Sequence, residues 1–351
     1  MLPDDEVRDL WLVGDRVTLS PMPGAETVAS GGFILPGLVD AHCHIGVADG
    51  GVPVESVAQA KELALIDRDA GVLALRDAGS PIDYRVLDDD PDVPRLIRAG
   101  RHVSPPKRYL RGLAAEVGEA EVVAELVRQA TRGTGWVKLV GDWLDRDRAD
   151  LGPAWDPAVM AAAVRAAQAA GARVAVHTFG EEAVSALVRA GVDSVEHGSG
   201  LNDDDIAEMG RRGTALVPTM INILTFGSIA AQAEGKFPAY ARHMRDLQAG
   251  FPAVVRHAYE AGVPIYVGSD AGGGISHGLA AREMLLLHES AGMSALDALA
   301  AGSWRAREWL GLPGLVEGGA ADLVVYEADP RQHLATVLSP QRIVLKGRVI
   351  R

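Results

Sequence analysis

The chain has 351 residues, 48% hydrophobic and 23% charged, which is the balance of a globular protein with a large buried core. Its formal net charge of −13 argues against a partner with a phosphate backbone, which needs a basic face, and against an anionic membrane surface. The one cysteine, Cys43, excludes an intramolecular disulfide and fits a reducing, cytoplasmic setting.

The first residues, Met1 to Glu6, are acidic and lack the basic start and apolar core of a signal peptide. No apolar stretch reaches the roughly 18 residues of a membrane span. Alternating apolar residues predict short strands over 10–13, 16–19 and 27–35, broken by Gly14-Asp15 and by the Pro/Gly cluster at 21–24. From residue 37 a unit recurs: a Val/Leu/Ala-rich strand, an alanine-rich helix, a glycine, and the next strand. The glycines that stop the helices are Gly71, Gly171, Gly191, Gly213 and Gly262. Strands are expected over 35–44, 72–76, 95–99, 136–140, 173–177, 194–197, 215–219 and 264–270. Helices are expected near 55–69, 119–131, 157–170, 181–190, 203–211, 238–261 and 279–291, with 221–237 forming a lid or an extra helix. Eight such units imply a (β/α)8 TIM barrel over residues 36–311. After residue 312 the texture returns to β, with strands over 321–326 and 341–350. These pair with the N-terminal strands, so residues 1–35 plus 312–351 are expected to form a small β-sandwich domain.

In a barrel of this kind the reactive groups stand at the C-terminal ends of the strands. His42 and His44, two positions apart on a strand, share a face, while Cys43 points the other way as a packed hydrophobe. Two adjacent imidazoles can chelate one metal ion. The fourth strand carries Lys138, the fifth ends in His177, the sixth in His197 and the eighth in Asp270, so all six groups face one mouth. Lys138 lies in an apolar strand where an ammonium is costly. Either it pairs with Asp77 or Asp270, or burial depresses its pKa toward the neutral amine. A neutral amine adds CO2 to give a carbamate, whose two oxygens suit two cations about 3.5–4 Å apart. Arg76-Asp77 reads as a buried ion pair, and Glu196 alternates away from His197 as a structural residue. His102, His243, His257, His288 and His333 fall on expected helices or loops and are not counted as ligands.

The stretch from Leu35 to His44, reading LPGLVDAHCH, resembles the opening of the amidohydrolase superfamily. Val195-Glu196-His197-Gly198, Gly268-Ser269-Asp270-Ala271-Gly272 followed by His277-Gly278, and Gly318-Gly319-Ala320-Ala321-Asp322 are similar to its imidazolonepropionase-like and prolidase-like branch. The resemblance implies that His42, His44 and Asp270 hold one divalent metal, that His177 and His197 hold a second, and that carboxylated Lys138 bridges the two. The ions would be two zinc, with manganese, iron and nickel as alternatives. Asp270 would take the proton of the attacking water and deliver it to the leaving nitrogen. The implied activity is hydrolysis of an amide-type C–N bond in a small molecule, an N-acyl amino acid or a dipeptide. With Lys138 unmodified, the same fold would instead hold one metal and open a cyclic amide or deaminate a ring. A non-catalytic, metal-stabilised binding protein is the reading from a different class. The small molecule is the expected partner, with no nucleic acid and no membrane, and self-association is left open.

Two features depart from that family's pattern. The N-terminal sheet segment is short, and the loop after Lys138 (141–147) is charged rather than Ser/Gly-rich. For substrate contacts, Tyr109 in the loop after the third strand, with Arg108 and Arg111, either meets a carboxylate or belongs to a solvated basic loop. His277 either bonds the substrate or caps the helix that follows.

Overall fold

The computed structural model describes residues 1–3 and 6–351. Its central strands are parallel and buried on both faces, which is why they read as near-continuous apolar runs. Leu38–Cys43, Val72–Asp77 and Arg95–Arg98 pair in that order. A second parallel sheet runs Ala115–Glu116, Val103–Ser104, Trp136–Val140, Arg173–Thr178, Ser194–His197, Ala215–Val217. The two sheets meet where Thr134 N donates to Arg98 O (2.8 Å) and Arg98 N to Thr134 Oγ1 (2.7 Å). One face of the strands packs Val39, Ala41, Ala74, Ala175 and Val217 around Trp136. The other face joins the helices in the main core.

Helices connect the strands, and their ends follow from local chemistry. Ser56, Asp156 and Asn202 accept backbone N–H groups as N-caps. Gly191 and Gly213 close helices Glu181–Ala190 and Asp203–Arg212 at φ +84° and +72°, a conformation that a Cβ penalises. The segment expected over 221–237 as a lid or an extra helix holds two short helices, Met220–Ile223 and Phe226–Ala233. Among the described residues, no helix is long and apolar enough to cross a membrane.

Several expected strands differ. The strand expected over 27–35 exists only as Phe33–Pro36. It does not continue into the ligand strand, because Gly37 intervenes where a Cβ would lie 2.5 Å from Leu73 and donates its N–H to Asp322 O. Phe33–Pro36 therefore joins Leu323–Tyr326, Arg342–Leu345 and Arg348–Val349 in a four-stranded antiparallel sheet, beside the hairpin of Trp11–Val13 and Arg16–Thr18. The strand expected over 341–350 is itself a hairpin: Lys346 and Gly347 both take positive φ (51° and 75°), as a type I′ turn requires. The strand expected over 264–270 forms no continuous ladder. It makes isolated bridges and single bonds instead, with Leu216 N→Pro264 O, Ala41 N→Val267 O and Asp270 N→His42 O at 2.7–2.8 Å. These bonds seat it between the Ala215–Val217 and Leu38–Cys43 strands.

Candidate metal centre

Strand ends deliver the predicted groups to one place. The rings of His42 and His44 lie 5.3 Å apart, those of His42 and His197 5.1 Å, and those of His197 and His177 4.7 Å. Asp270 Oδ1 is 3.2 Å from His42 Nε2 and 3.3 Å from His44 Nε2. Lys138 Nζ lies 3.4 Å from His42 Nε2. Of all these groups, His42, His44 and Asp270 have donor atoms within 4.8 Å of one another. The backbone is turned to achieve this: His197 and Asp270 adopt left-handed φ of 67° and 58°, a strain that persists only where surrounding contacts fix it.

The outer contacts decide which ring nitrogen faces inward. His42 Nδ1 is 2.7 Å from Glu196 Oε2, His44 Nδ1 is 2.9 Å from Gly79 O, and His197 Nδ1 is 2.7 Å from Thr219 Oγ1. Each leaves Nε2 for the centre, which is how ligating histidines are held. His177 Nε2 is buried without a hydrogen-bond partner, and its nearest carboxylate oxygen, on Asp142, is 3.9 Å away. Burial, then the neighbouring His197 and Lys138, hold the His177 pKa well below the usual value; burial also keeps His197 low, so both are neutral imidazoles with a free lone pair. Burial pushes the Asp270 carboxyl up, but the His42 and His44 side chains bonded to it outweigh that and keep Asp270 ionised. Burial lowers Lys138 to about 8, against the opposing pull of Glu196 and Asp270. Neutral imidazoles, an ionised carboxylate and an orphaned ring nitrogen fit divalent metal ions.

Several expectations about neighbours are corrected. Arg76 pairs not with Asp77 but with Glu196, at 2.7 and 2.8 Å, and lies over Trp136. Asp77 instead accepts the N–H groups of Ile45 and Gly79. Glu196 does more than fill space, since its second contact is His42. Lys138 forms no ion pair with Asp77 or Asp270; its polar neighbour is His42. His277 does not cap helix Ala280–Glu289, because its Nδ1 is held 2.7 Å from Asp67 in helix Val57–Asp69. Arg108 is committed to Asp145, Gly152 and Pro153 of the Asp142–Pro153 hairpin rather than solvated. Tyr109 stands beside the centre, its ring 5.8 Å from His177 and 4.8 Å from Trp143. His102, set aside on sequence, is buried next to His44 and Tyr109, at 5.9 and 4.8 Å. Sequence also did not suggest Thr219, whose hydroxyl meets His197, or Asn222, whose amide meets Asp270.

The model of the amidohydrolase family matches residues 138–350. The chain belongs to that family. As an amidohydrolase it is a hydrolase acting on C–N bonds, in a family that is generally metal-dependent. It is 51% identical over 350 residues to an uncharacterized protein of Mycobacterium tuberculosis, covering 99% of this chain and 93% of that one. Ochratoxinase of Aspergillus niger is 27% identical over 239 residues, 66% of this chain and 49% of the relative. Among solved structures, a Xaa-Pro dipeptidase with bound methionine superposes with a TM-score of 0.80 at 22% identity, covering 97% of this amidohydrolase and 94% of the dipeptidase. The ochratoxinase structure gives 0.76 at 21% identity, covering 91% and 83%. The likeness shows an α/β fold of TIM-barrel type.

Proposed function

We propose that the chain hydrolyses the amide bond of a small N-acyl amino acid or dipeptide-like molecule at a binuclear metal centre. The convergence of four histidines and Asp270 around Lys138 carries this reading. His42, His44 and Asp270 would hold one divalent ion, zinc or a close substitute, and His177 with His197 the second. Carboxylated Lys138 would bridge them. A lysine near 8 is about one-tenth neutral at pH 7, against less than a thousandth for an ordinary one, so its nitrogen is available to CO2. Bound metals would lower the pKa of a water and polarise the scissile carbonyl. Asp270, ionised beside His42 and His44, would accept a proton and return it to the leaving nitrogen. Tyr109, at the edge of the centre, is the substrate contact of this scheme. Ochratoxinase and Xaa-Pro dipeptidase, among the similar proteins, favour an amide substrate.

The same reading closes the two parallel sheets into one barrel over residues 36–311, through the bonds around residues 98–134 and 264–271. It assigns residues 1–35 plus 312–351 to the small flanking β domain. One observation favours a second reading: the tight group of His42, His44 and Asp270 alone would serve a mononuclear enzyme opening a cyclic amide. Metal analysis after expression with zinc or manganese, combined with a screen of dipeptides and N-acyl amino acids, separates the two. About two metals per chain and turnover of the linear amides are expected. One metal per chain would favour the mononuclear enzyme, and a metal-free, inactive protein would refute both.

A further inference from the structure

Asp270 has two carboxylate oxygens, and the structure gives them different neighbours. Oδ1 faces Nε2 of His42 and of His44. Oδ2 accepts the Asn222 side-chain amide at 2.5 Å. Asn222 lies 48 positions upstream, in the short helix Met220–Ile223 that follows strand Ala215–Val217. We propose that Asn222 is the positioning residue for Asp270, and that the turn carrying it is built for that purpose. The proposal rests on the metal assignment above.

Three contacts support it. Thr225 Oγ1 donates to the Asn222 backbone carbonyl at 2.7 Å and has Asn222 Oδ1 as a second, longer contact at 3.3 Å, so the amide oxygen lies on the Thr225 side and the NH2 end faces the carboxylate of Asp270, which can only accept. Glu283, fully buried, accepts the N–H groups of Met220 (2.6 Å) and Ile221 (2.9 Å), so the first turn of the helix is tied down from another element. Thr219, immediately before it, is held at φ +47° and places its hydroxyl 2.7 Å from His197 Nδ1. A single stretch, 219–225, therefore orients both Asp270 and His197. With Oδ2 occupied by a donor, rotation of the carboxylate is blocked and Oδ1 stays turned toward the histidines. Outer contacts of this kind typically account for about 10–100-fold in metal affinity or activity.

The test uses the full chain loaded with zinc, competed against a fluorescent chelator, with the cobalt(II)-substituted protein followed by visible absorption. Asn222→Ala is expected to weaken zinc binding by about 10-fold or more and to shift the cobalt spectrum, with the melting temperature of the zinc-free protein unchanged. Asn222→Asp, equal in size but without the donor, is expected to do no better. Thr225→Val should fall in between and Thr225→Ser should restore wild-type binding; this pair carries the test should Asn222→Ala fail to fold. Wild-type zinc affinity and an unaltered cobalt spectrum in Asn222→Ala and Thr225→Val would overturn the proposal and leave the metal assignment standing. A wild-type protein that binds no zinc would overturn that assignment, and the role of Asn222 with it.

Discussion

Glu196 joins Arg76 to His42. The Arg76 Nη2 donates to both carboxylate oxygens of Glu196, at 2.7 and 2.8 Å, and Glu196 Oε2 lies 2.7 Å from His42 Nδ1. All three side chains are at most 1% exposed. Glu196→Gln would leave a guanidinium buried without its counter-charge, which costs about 3–5 kcal/mol. The same change weakens the support of His42, with a loss of about 10–100-fold in metal affinity. Urea denaturation and chelator competition measure the two effects. In the double variant Arg76→Met with Glu196→Gln, much of the stability should return while the metal affinity should not. Recovery of both would show that Glu196 serves only the fold.

Asp270→Asn keeps the shape of the side chain and removes its basicity. Turnover of the best amide substrate should fall by about 100–10,000-fold, the contribution of a positioned proton-transfer group. Circular dichroism should show the fold intact. Full turnover in this variant would remove Asp270 from proton transfer.

Lys138→Ala should reduce the metal content by one ion per chain. Carbon-13 NMR of protein equilibrated with labelled bicarbonate should show a carbamate signal in the wild type and none in the variant. Two metals in Lys138→Ala, or no carbamate signal in the wild type, would rule out the bridging carbamate.

His243 supplies a pH-dependent clasp away from the centre. Its Nδ1 is 2.9 Å from Asp150 of the Asp142–Pro153 hairpin, and its Nε2 is 3.0 Å from Glu181 at the start of helix Glu181–Ala190. The bond to Glu181, working against burial and helped by Asp150, raises His243 to about 9. The folded chain therefore holds this proton more tightly than the unfolded chain, whose histidine titrates near 6.5. The stabilisation is complete below about pH 6.5 and is lost as the pH rises through about 9. Glu181 is 60% exposed, so solvent screening limits the effect to about 1 kcal/mol. His243→Gln should melt below the wild type at pH 6 and together with it at pH 10. An equal gap at both pH values would mean that packing, and not charge, is what His243 provides.

The grouping of the six side chains was legible because the four histidines stand at or just beyond the ends of buried strands and Lys138 lies within one, where a polar side chain has few other uses. Their partners were not legible, for separate physical reasons. Side-chain alternation should have told against an Arg76–Asp77 pair, since neighbours on a strand face opposite ways. The same rule misled at Glu196, because the left-handed backbone at His197 ends the alternation and lets both residues reach His42. Asn222 meets Asp270 across 48 residues through a turn with no motif of its own. His102 sits in the loop after Arg95–Arg98 and was set aside as a non-ligand on that ground, yet it packs against Gly79, where a Cβ would lie 2.5 Å from its Nδ1. The strands over 27–35 and 341–350 were overdrawn because alternating apolar residues continue through breaks that Gly31-Gly32 and Lys346-Gly347, all at positive φ, impose.

Phe33–Pro36 finds its hydrogen-bonding partner in Leu323–Tyr326, and Gly37 finds its own in Asp322, nearly three hundred residues downstream. On the ribosome, the segment leading into His42 emerges long before that partner has been made. Until then the N–H of Gly37, at the base of the ligand strand, has no Asp322 carbonyl to meet. A chain stalled or clipped before Asp322 would carry every proposed metal ligand and still lack the clamp that seats the first two.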